Sequence, residues 1–305
     1  MPPWKLKAGL QRAFSVLPAG DRVNYLFQKH VTRTYPMSDE HLREAVTIGL
    51  DHVRGLNDTF GRGLTKARFF EFGAGWDLHM PLVLWALGIE HQVVVDIRPL
   101  ARADLVADVV RRLAGRAQVG AFVRLPPTPP AGDFDLRAYL QSLGIDYRAP
   151  SDARATGLRP GSIDVVTSTN TMEHIPQAEL PAILAELCRI LADDGLMSFR
   201  IDYQDHYAYF DRSISVYNFL TLNDRSWRRW NPSLHFQNRM RHREHLAVLD
   251  EAGFAVLADE LRAGDASDLD ILRKLPLAPQ FTTVPLEELA VRSARLVLAK
   301  KSAVR

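Results

Sequence analysis

The sequence has little of what cross-links or anchors a protein. It contains one cysteine, Cys188, which excludes an internal disulfide and any multi-cysteine zinc site. That residue falls in an apolar helical run and reads as a packing residue, not a reactive thiol. No apolar run reaches the roughly 20 residues needed to span a bilayer. There is no excess of one charge: 38 basic residues face 36 acidic ones, a net of +2, so charge alone does not suggest a nucleic-acid partner. The basic N-terminus is interrupted by charges and by Pro18 and does not read as a secretory signal, so a cytoplasmic location is expected. No internal repeat is evident. Asp202, Asp205 and His206 have no recognised metal-ligand spacing, and His242 and His245 lack a further ligand, so no metal is expected.

What is present is enough for a large core. A chain of 305 residues with 47% hydrophobic and 24% charged content has room for one elaborated α/β domain, or one domain with a cap. The organising stretch is Ala67 to Asp96. Phe69-Phe70-Glu71-Phe72 has the length and apolar character of a buried strand. Gly73 and Gly75 follow, and an apolar helical pattern through Leu78, Leu82, Val83, Trp85 and Ala86 stops at Gly88. Val93-Val94-Val95 then ends in Asp96. This is a βαβ unit, whose glycine turn and helix N-terminus suit the anionic part of a ligand. An acid about 20 residues on, at the next strand's tip, suits ribose hydroxyls.

A dinucleotide fingerprint needs a third glycine where this chain has Leu78. The pattern is instead E-x-G-x-G, and it resembles the cofactor loop of the class I S-adenosylmethionine-dependent methyltransferases. The resemblance implies that Glu71, Gly73, Ala74 and Gly75 hold the amino-acid end of S-adenosylmethionine. It implies that Asp96 binds the ribose and that Ile97, Asp152 and Ala153 border the adenine. Asp77 stands where many members carry a further glycine. D-V-V-x-S at Asp164–Ser168, followed by E-H-I-P at Glu173–Pro176, resembles the family's fourth-strand region. That region faces the transferred methyl group, so Ser168 is expected near the cofactor and Asn170 near the acceptor.

The implied fold is a seven-stranded, mostly parallel, doubly wound (Rossmann-like) sheet with an antiparallel strand near the C-terminus. Its remaining strands are expected at Ile145–Arg148, Ile163–Ser168, Leu196–Ile201, Phe254–Leu261 and Ala294–Ala299. Residues 1–66 read as a helical addition and 67–305 as the cofactor-binding domain, with insertions at about 101–143 and 202–238. In the addition, Leu6, Leu10, Phe14 and Leu17 lie at helical spacing. Ser38 is a good N-cap for a second helix that presents Leu42, Ala45, Val46 and Gly49 on one face. Asn57 to Gly63 reads as a loop, and four prolines between Leu125 and Pro130 forbid a helix there.

A hydroxyl acceptor must lose a proton, and the loops after strands four and five hold the side chains for that. His206 is the expected base, oriented by Asp202, with His174 as its rival. Asp205, Tyr207, Arg225, Arg228 and Arg229 are expected to touch the acceptor. The stretch Asn223–His245 mixes arginines with Trp227, Trp230 and Phe236. The mixture suits an anionic or sugar ligand or nucleic acid, and above all a solvated helix face with its aromatics tucked into the core. A looser likeness covers the whole chain: F-G-A-G-W-D-L, I-D-Y-x-D-H-Y, I-S-x-Y-N-F-L and N-R-x-R resemble methyltransferases encoded among bacterial surface-polysaccharide and glycan-modifying genes. The expected activity is therefore O-methylation of a small-molecule or saccharide-like substrate (EC 2.1.1.-). The alternatives are an RNA methyltransferase, disfavoured because the N-P dipeptide at Asn231-Pro232 lies outside the fourth-strand loop, and a non-catalytic cofactor-binding or scaffold protein.

Overall fold

A computed structural model describes residues 3–61, 63–115, 120–130, 132 and 134–304. Residue 62 of the expected loop and residues 116–119, 131 and 133 of the first expected insertion lie outside the described residues. The chain opens with three helices, α1 (Pro3–Ser15), α2 (Gly20–His30) and α3 (Asp39–Asn57). Strand β1 (Arg68–Phe72), helix α4 (His79–Ala86) and strand β2 (His91–Val95) form the βαβ unit. Helices α5 (Ala103–Ala114) and α6 (Leu136–Ser142) lead to β3 (Ile145–Arg148) and β4 (Ile163–Thr169). Helix α7 (Leu180–Ile190) precedes β5 (Leu191–Asp202), and α8 (Asp224–Trp230) sits in the segment that follows. The chain ends with α9 (His242–Glu251), β6 (Phe254–Arg262), α10 (Ala266–Lys274), α11 (Leu286–Leu289) and β7 (Ser293–Lys300).

Among the described residues seven strands form one sheet in the order β3-β2-β1-β4-β5-β7-β6. Strands β1 to β5 pair in parallel, and β7 runs antiparallel between β5 and β6. This is the expected architecture. Its central strands are apolar on both faces because helices cover both. Phe70, Val166 and Met197 point toward α7 and α9, packing with Leu184, Leu187 and Leu249. Their neighbours Phe69 and Val165 point the other way, toward Ile48 and Leu56 of α3 and Leu84 of α4. Each such phenylalanine or leucine, fully buried, contributes about 1.5–3 kcal/mol of transfer free energy. The reversal of order at β1/β4 opens a crevice at the strands' carboxyl ends, where ligands bind in sheets of this kind.

The structure differs from expectation in four places. Helix α1 forms, but it buries Trp4, Ala8 and Gln11, while Leu6 is 58% and Leu17 47% exposed. Trp4 decides this orientation: it packs on Tyr207 at 5.5 Å and its backbone N–H donates to Asp211. Helix α2 is unexpected; its Val23, Leu26 and Phe27 lie at helical spacing, but Leu26 is exposed and the helix buries Gly20, Asn24 and Tyr25. Strand β5 starts at Leu191, not Leu196, with a register shift opposite Ile163–Val165 that absorbs the Asp193-Asp194-Gly195 segment. The segment after β5 builds a core of its own from Tyr207, Tyr217, Phe219 and Trp227. That core joins Trp4 to Leu272 and Leu289 of α10 and α11.

Candidate active site

The crevice begins where β1 runs out. Gly73 (φ +84°) and Gly75 (φ +70°) turn the chain, and Leu78 (φ 52°) leads into α4. Gly73 has a second constraint: a Cβ there would lie 2.4 Å from Thr171 Oγ1 on the loop after β4. Asp96 closes the turn from β2. Its Oδ2 accepts from the Gly75 N–H (3.1 Å) and its Oδ1 from the Arg98 N–H (2.9 Å). Burial raises its pKa, against the opposing hydrogen bonds from Arg98 and Gly75.

Glu71 lies beneath the turn, 3% exposed, and accepts from Thr167 Oγ1 at 3.2 Å. Burial pushes its carboxyl up to about 7, with Thr167 and His79 pulling the other way. Asp77 and His79 form a pair 2.7 Å apart at the start of α4. Burial disfavours the charge on Asp77, but the charge and hydrogen bonds of His79 outweigh it and lower its pKa.

Two lobes open from this turn and share Gly73, Asp96, Ile97, Thr171, His174 and Ile175. The smaller, about 170 Å³, lies between Ile97, Ala153, Ile175 and Ile183, with Asp152 also in its lining. It is a narrow apolar slot. The larger, about 570 Å³, is lined by the glycine turn, by Asn170, and by Asn24, Gln28, Tyr35, His41 and Glu44 from the N-terminal helices and the loop joining them. Those helices are tied to the turn by Tyr25, stacked on Trp76 at 5.2 Å, and by an ion pair from Arg98 to Asp21 (2.8 Å). Ser233 to Phe236, after α8, complete the wall.

A polar cluster stands at the ends of β4 and β5. His174 follows β4 and faces the larger lobe; its Nδ1 is 2.7 Å from the Phe236 carbonyl. A carbonyl only accepts, so Nδ1 carries the proton and Nε2 keeps its lone pair in the neutral ring. His206 packs edge-on behind His174, ring centroids 4.9 Å apart, and is stacked on Tyr209. Its Nε2 lies 3.3 Å from Asp202 Oδ2. Asp202 also accepts from Tyr209 Oη (2.5 Å) and from Gln204. Burial opposes its charge, yet His206, Tyr209 and Gln204 hold its carboxyl down at about 2.

The structure brings Gly73, Ala74, Gly75, Asp96 and Ile97 to the cleft, with Asp152 and Ala153 on the slot and Asn170 and His174 on the larger lobe. Others are not brought there. Ser168 is fully buried within β4, and its neighbours Thr169 and Thr171 line the cleft instead. His206 is one layer back. Asp205 is sealed in the segment after β5, accepting from the Tyr207 N–H and from Asn218, and Tyr207 donates to the Trp230 carbonyl. Arg225, Arg228 and Arg229 line a separate depression with Gly9, Arg12 and Trp230. They sit there because Trp227, between them on α8, turns inward against Phe219. Sequence reasoning missed Asn24, Gln28, His41 and Glu44. On α3 the pair His41 and Glu44 flanks the buried Leu42 and Ala45, and that polar edge was the available signal.

A family model described as a methyltransferase domain matches residues 39–260. No curated protein matches. Among solved structures, the chain is similar to the PH0226 protein from Pyrococcus horikoshii OT3, at 13% identity over 91% of this chain and 99% of that one, TM-score 0.49. It is similar to an S-adenosylmethionine-dependent methyltransferase from Mesorhizobium loti, at 15% identity over 84% and 99%, TM-score 0.44. A SAM-dependent methyltransferase from Methanosarcina mazei aligns at 11% identity over 80% and 96%, TM-score 0.44.

Proposed function

The chain belongs to the methyltransferase-domain family and its cofactor is S-adenosylmethionine; from that premise we propose that it methylates a hydroxyl of a small or saccharide-like acceptor held in the larger lobe. The carrying observation is the pairing of a narrow apolar slot with a polar lobe, joined at Asp96. The residues fit the cofactor. Asp96 stands where the two lobes join, and the apolar slot between Ile97, Ala153 and Ile175 suits a flat base. In this reading the Gly73–Gly75 backbone, ordered from beneath by Glu71, holds the amino-acid end, Asp96 the ribose, and Ile97, Asp152 and Ala153 the adenine. When bound, S-adenosylmethionine supplies an electrophilic methyl group together with its own leaving group.

The rest falls to the chain's side chains. Asn24, Gln28, Tyr35 and Asn170 offer uncharged donors and acceptors to the larger lobe, beside Glu44 and Arg98, and such amide and phenol groups suit hydroxyls. Aligning the acceptor oxygen is worth several kcal/mol of barrier by itself. The cluster of His174, His206 and Asp202 is the place where the hydroxyl is met and its proton lost. His174 forms the wall, and His206 and Asp202 set its surroundings. The likeness to glycan-modifying methyltransferases supports a saccharide acceptor.

The test is incubation with labelled cofactor and cell extract, followed by identification of the labelled metabolite. An O-methyl ether on a hydroxylated small molecule or sugar is the expected product. Label on an amine, or label confined to RNA, would overturn the acceptor assignment.

A further inference from the structure

Glu173 has no role in the reading above, and its surroundings are unusual. The residue is 2% exposed, yet among the described residues no side chain hydrogen-bonds either carboxylate oxygen, and only the backbone N–H groups of Glu173 and Asp202 approach them. Buried carboxylates are ordinarily satisfied, and leaving one bare costs several kcal/mol. Its neighbours are His174 and His206, and one ligand atom from each of the three lies within 4.8 Å of the others. His206 Nε2 is also buried, and among the described residues it meets only the Asp202 carboxylate, at an angle that makes no well-formed hydrogen bond. Asp202 brings a second carboxylate to 3.3 Å from His206. Among the described residues no lysine or arginine makes a salt bridge with Glu173 or Asp202. The cluster therefore combines two imidazoles with a carboxylate that has no side-chain partner, and no cationic side chain is bound to it.

We propose that Glu173, His174 and His206 form a binding site for one divalent first-row transition-metal ion. Mixed imidazole and carboxylate donors suit zinc, cobalt, manganese or iron, whereas magnesium and calcium favour all-oxygen sets. The backbone that carries Glu173 and His174 is held in place, and their side chains can turn on it. The Asn238 side-chain amide donates to the Met172 and Ile175 carbonyls (2.9 Å each) and its backbone N–H to the Glu173 carbonyl (2.7 Å), fixing the turn. The bond from His174 Nδ1 to the Phe236 carbonyl sets the tautomer with a free Nε2, as in metal-binding histidines whose other ring N–H donates to a carbonyl or carboxylate. Ligands about 2.0–2.2 Å from one ion stand about 3–3.5 Å apart, so the three donors draw together by up to ~2 Å on binding. Three protein ligands leave coordination positions open, and His174 borders the larger lobe. The ion would bind the acceptor oxygen there. That role rests on the proposed methyl transfer; the binding of the ion does not.

The test is a titration of chelator-treated, dialysed full-length protein with Co²⁺ alone, followed by visible absorption and equilibrium dialysis. Wild type should bind about one ion per chain, and loss of a ligand in Glu173→Gln or His206→Ala should weaken binding at least ~10- to 100-fold. His206→Gln serves if Glu173→Gln does not fold. S-adenosylhomocysteine affinity, measured on the same samples, should be unchanged in each variant. Absence of Co²⁺ binding by wild type overturns the site, as does binding that both variants retain. Cofactor bound without cobalt breaks this inference alone. Cobalt bound with no hydroxyl methylated by any acceptor leaves the site standing and breaks the proposed function.

Discussion

Removing the Asp96 carboxylate is the sharpest test of the cofactor cleft. Asp96 is 8% exposed and sits where the two lobes join, with each carboxylate oxygen already accepting one backbone N–H. Each oxygen keeps a further lone pair, enough to take a pair of ribose hydroxyls. Hydrogen bonds to a charged group contribute about 1.5–3 kcal/mol each, so Asp96→Ala should lose about 3–6 kcal/mol of binding. At 1.4 kcal/mol per decade this is a ~100- to 20,000-fold weaker Kd for S-adenosylhomocysteine. The variant also frees the Gly75 N–H, so part of the loss comes from the turn itself. Asp96→Asn separates the two effects, because its amide keeps an acceptor for one N–H but lacks the charge. Isothermal calorimetry measures the affinities, and thermal denaturation without cofactor measures the damage to the turn. A Kd within threefold of wild type, in a variant that is folded, would refute the placement of the ribose at Asp96.

Other outcomes follow from the same geometry. Glu71 has a folded pKa raised from 4.5 to about 7, so its carboxyl binds a proton more tightly folded than unfolded. Wild type should therefore lose stability as pH rises from about 4.5 through 7, and Glu71→Gln should escape that loss by ~3 kcal/mol above pH 7; parallel urea midpoints at pH 5 and pH 8 would contradict this. Gly73→Ala puts a methyl 2.4 Å from Thr171 Oγ1 at a φ of +84°, and cofactor affinity should fall at least ~10-fold; equal affinity would show that the turn adapts. Arg225, Arg228 and Arg229 line the outer depression, not the cleft, so changing all three to alanine should leave the KM for a small acceptor within about twofold. A large KM rise with cofactor affinity intact would mean that this face moves onto the acceptor. Arg241 is buried and donates to the Tyr203, Leu289 and Val291 carbonyls; Arg241→Met strands these acceptors and should cost ~3 kcal/mol or more by denaturant unfolding. A midpoint near wild type would refute that role.

The sheet was legible because its strands combine short apolar runs with glycine turns, and the E-x-G-x-G turn places its acid and glycines by chain distance alone. Asp96 falls at the lobe junction for that reason. Ser168 is expected near the cofactor from the family resemblance of its strand, and the structure buries it. Strand β4 is covered on both faces, so Thr167 and Ser168 are both fully buried and alternation carries no signal about which side meets a ligand. Helix α2 carries only a short apolar pattern, Val23, Leu26 and Phe27, and docks instead through Tyr25 stacking on Trp76, a tertiary contact that periodicity does not show. Arg225, Arg228 and Arg229 were placed wrongly with respect to the cleft because composition gives the character of α8 but not its rotation, which Trp227 sets.

In the proposed reading, acceptor choice resides in the larger lobe. The glycine turn, Asp96 and the apolar slot come from β1, β2 and the loops after β2, β3 and β4. The acceptor side of the lobe comes from α2, α3 and Ser233–Phe236. Those two groups are structurally joined: Trp4 of α1 packs on Tyr207 and Trp230 of the segment after β5, and Arg12 donates to the Arg228 and Arg229 carbonyls. Helix α1 thus ties the wall built after β5 to the helices that face it. Substitutions in the α1 contact should consequently shift acceptor KM while cofactor affinity, set by the sheet and its turns, stays in place. Trp4→Ala is the informative variant. It removes two aromatic contacts worth about 0.5–1.5 kcal/mol each beyond their buried area and touches no residue of the apolar slot. Measured with the acceptor in hand, equal losses in KM and cofactor Kd would mean that the lobe is one rigid unit and not two walls joined by α1.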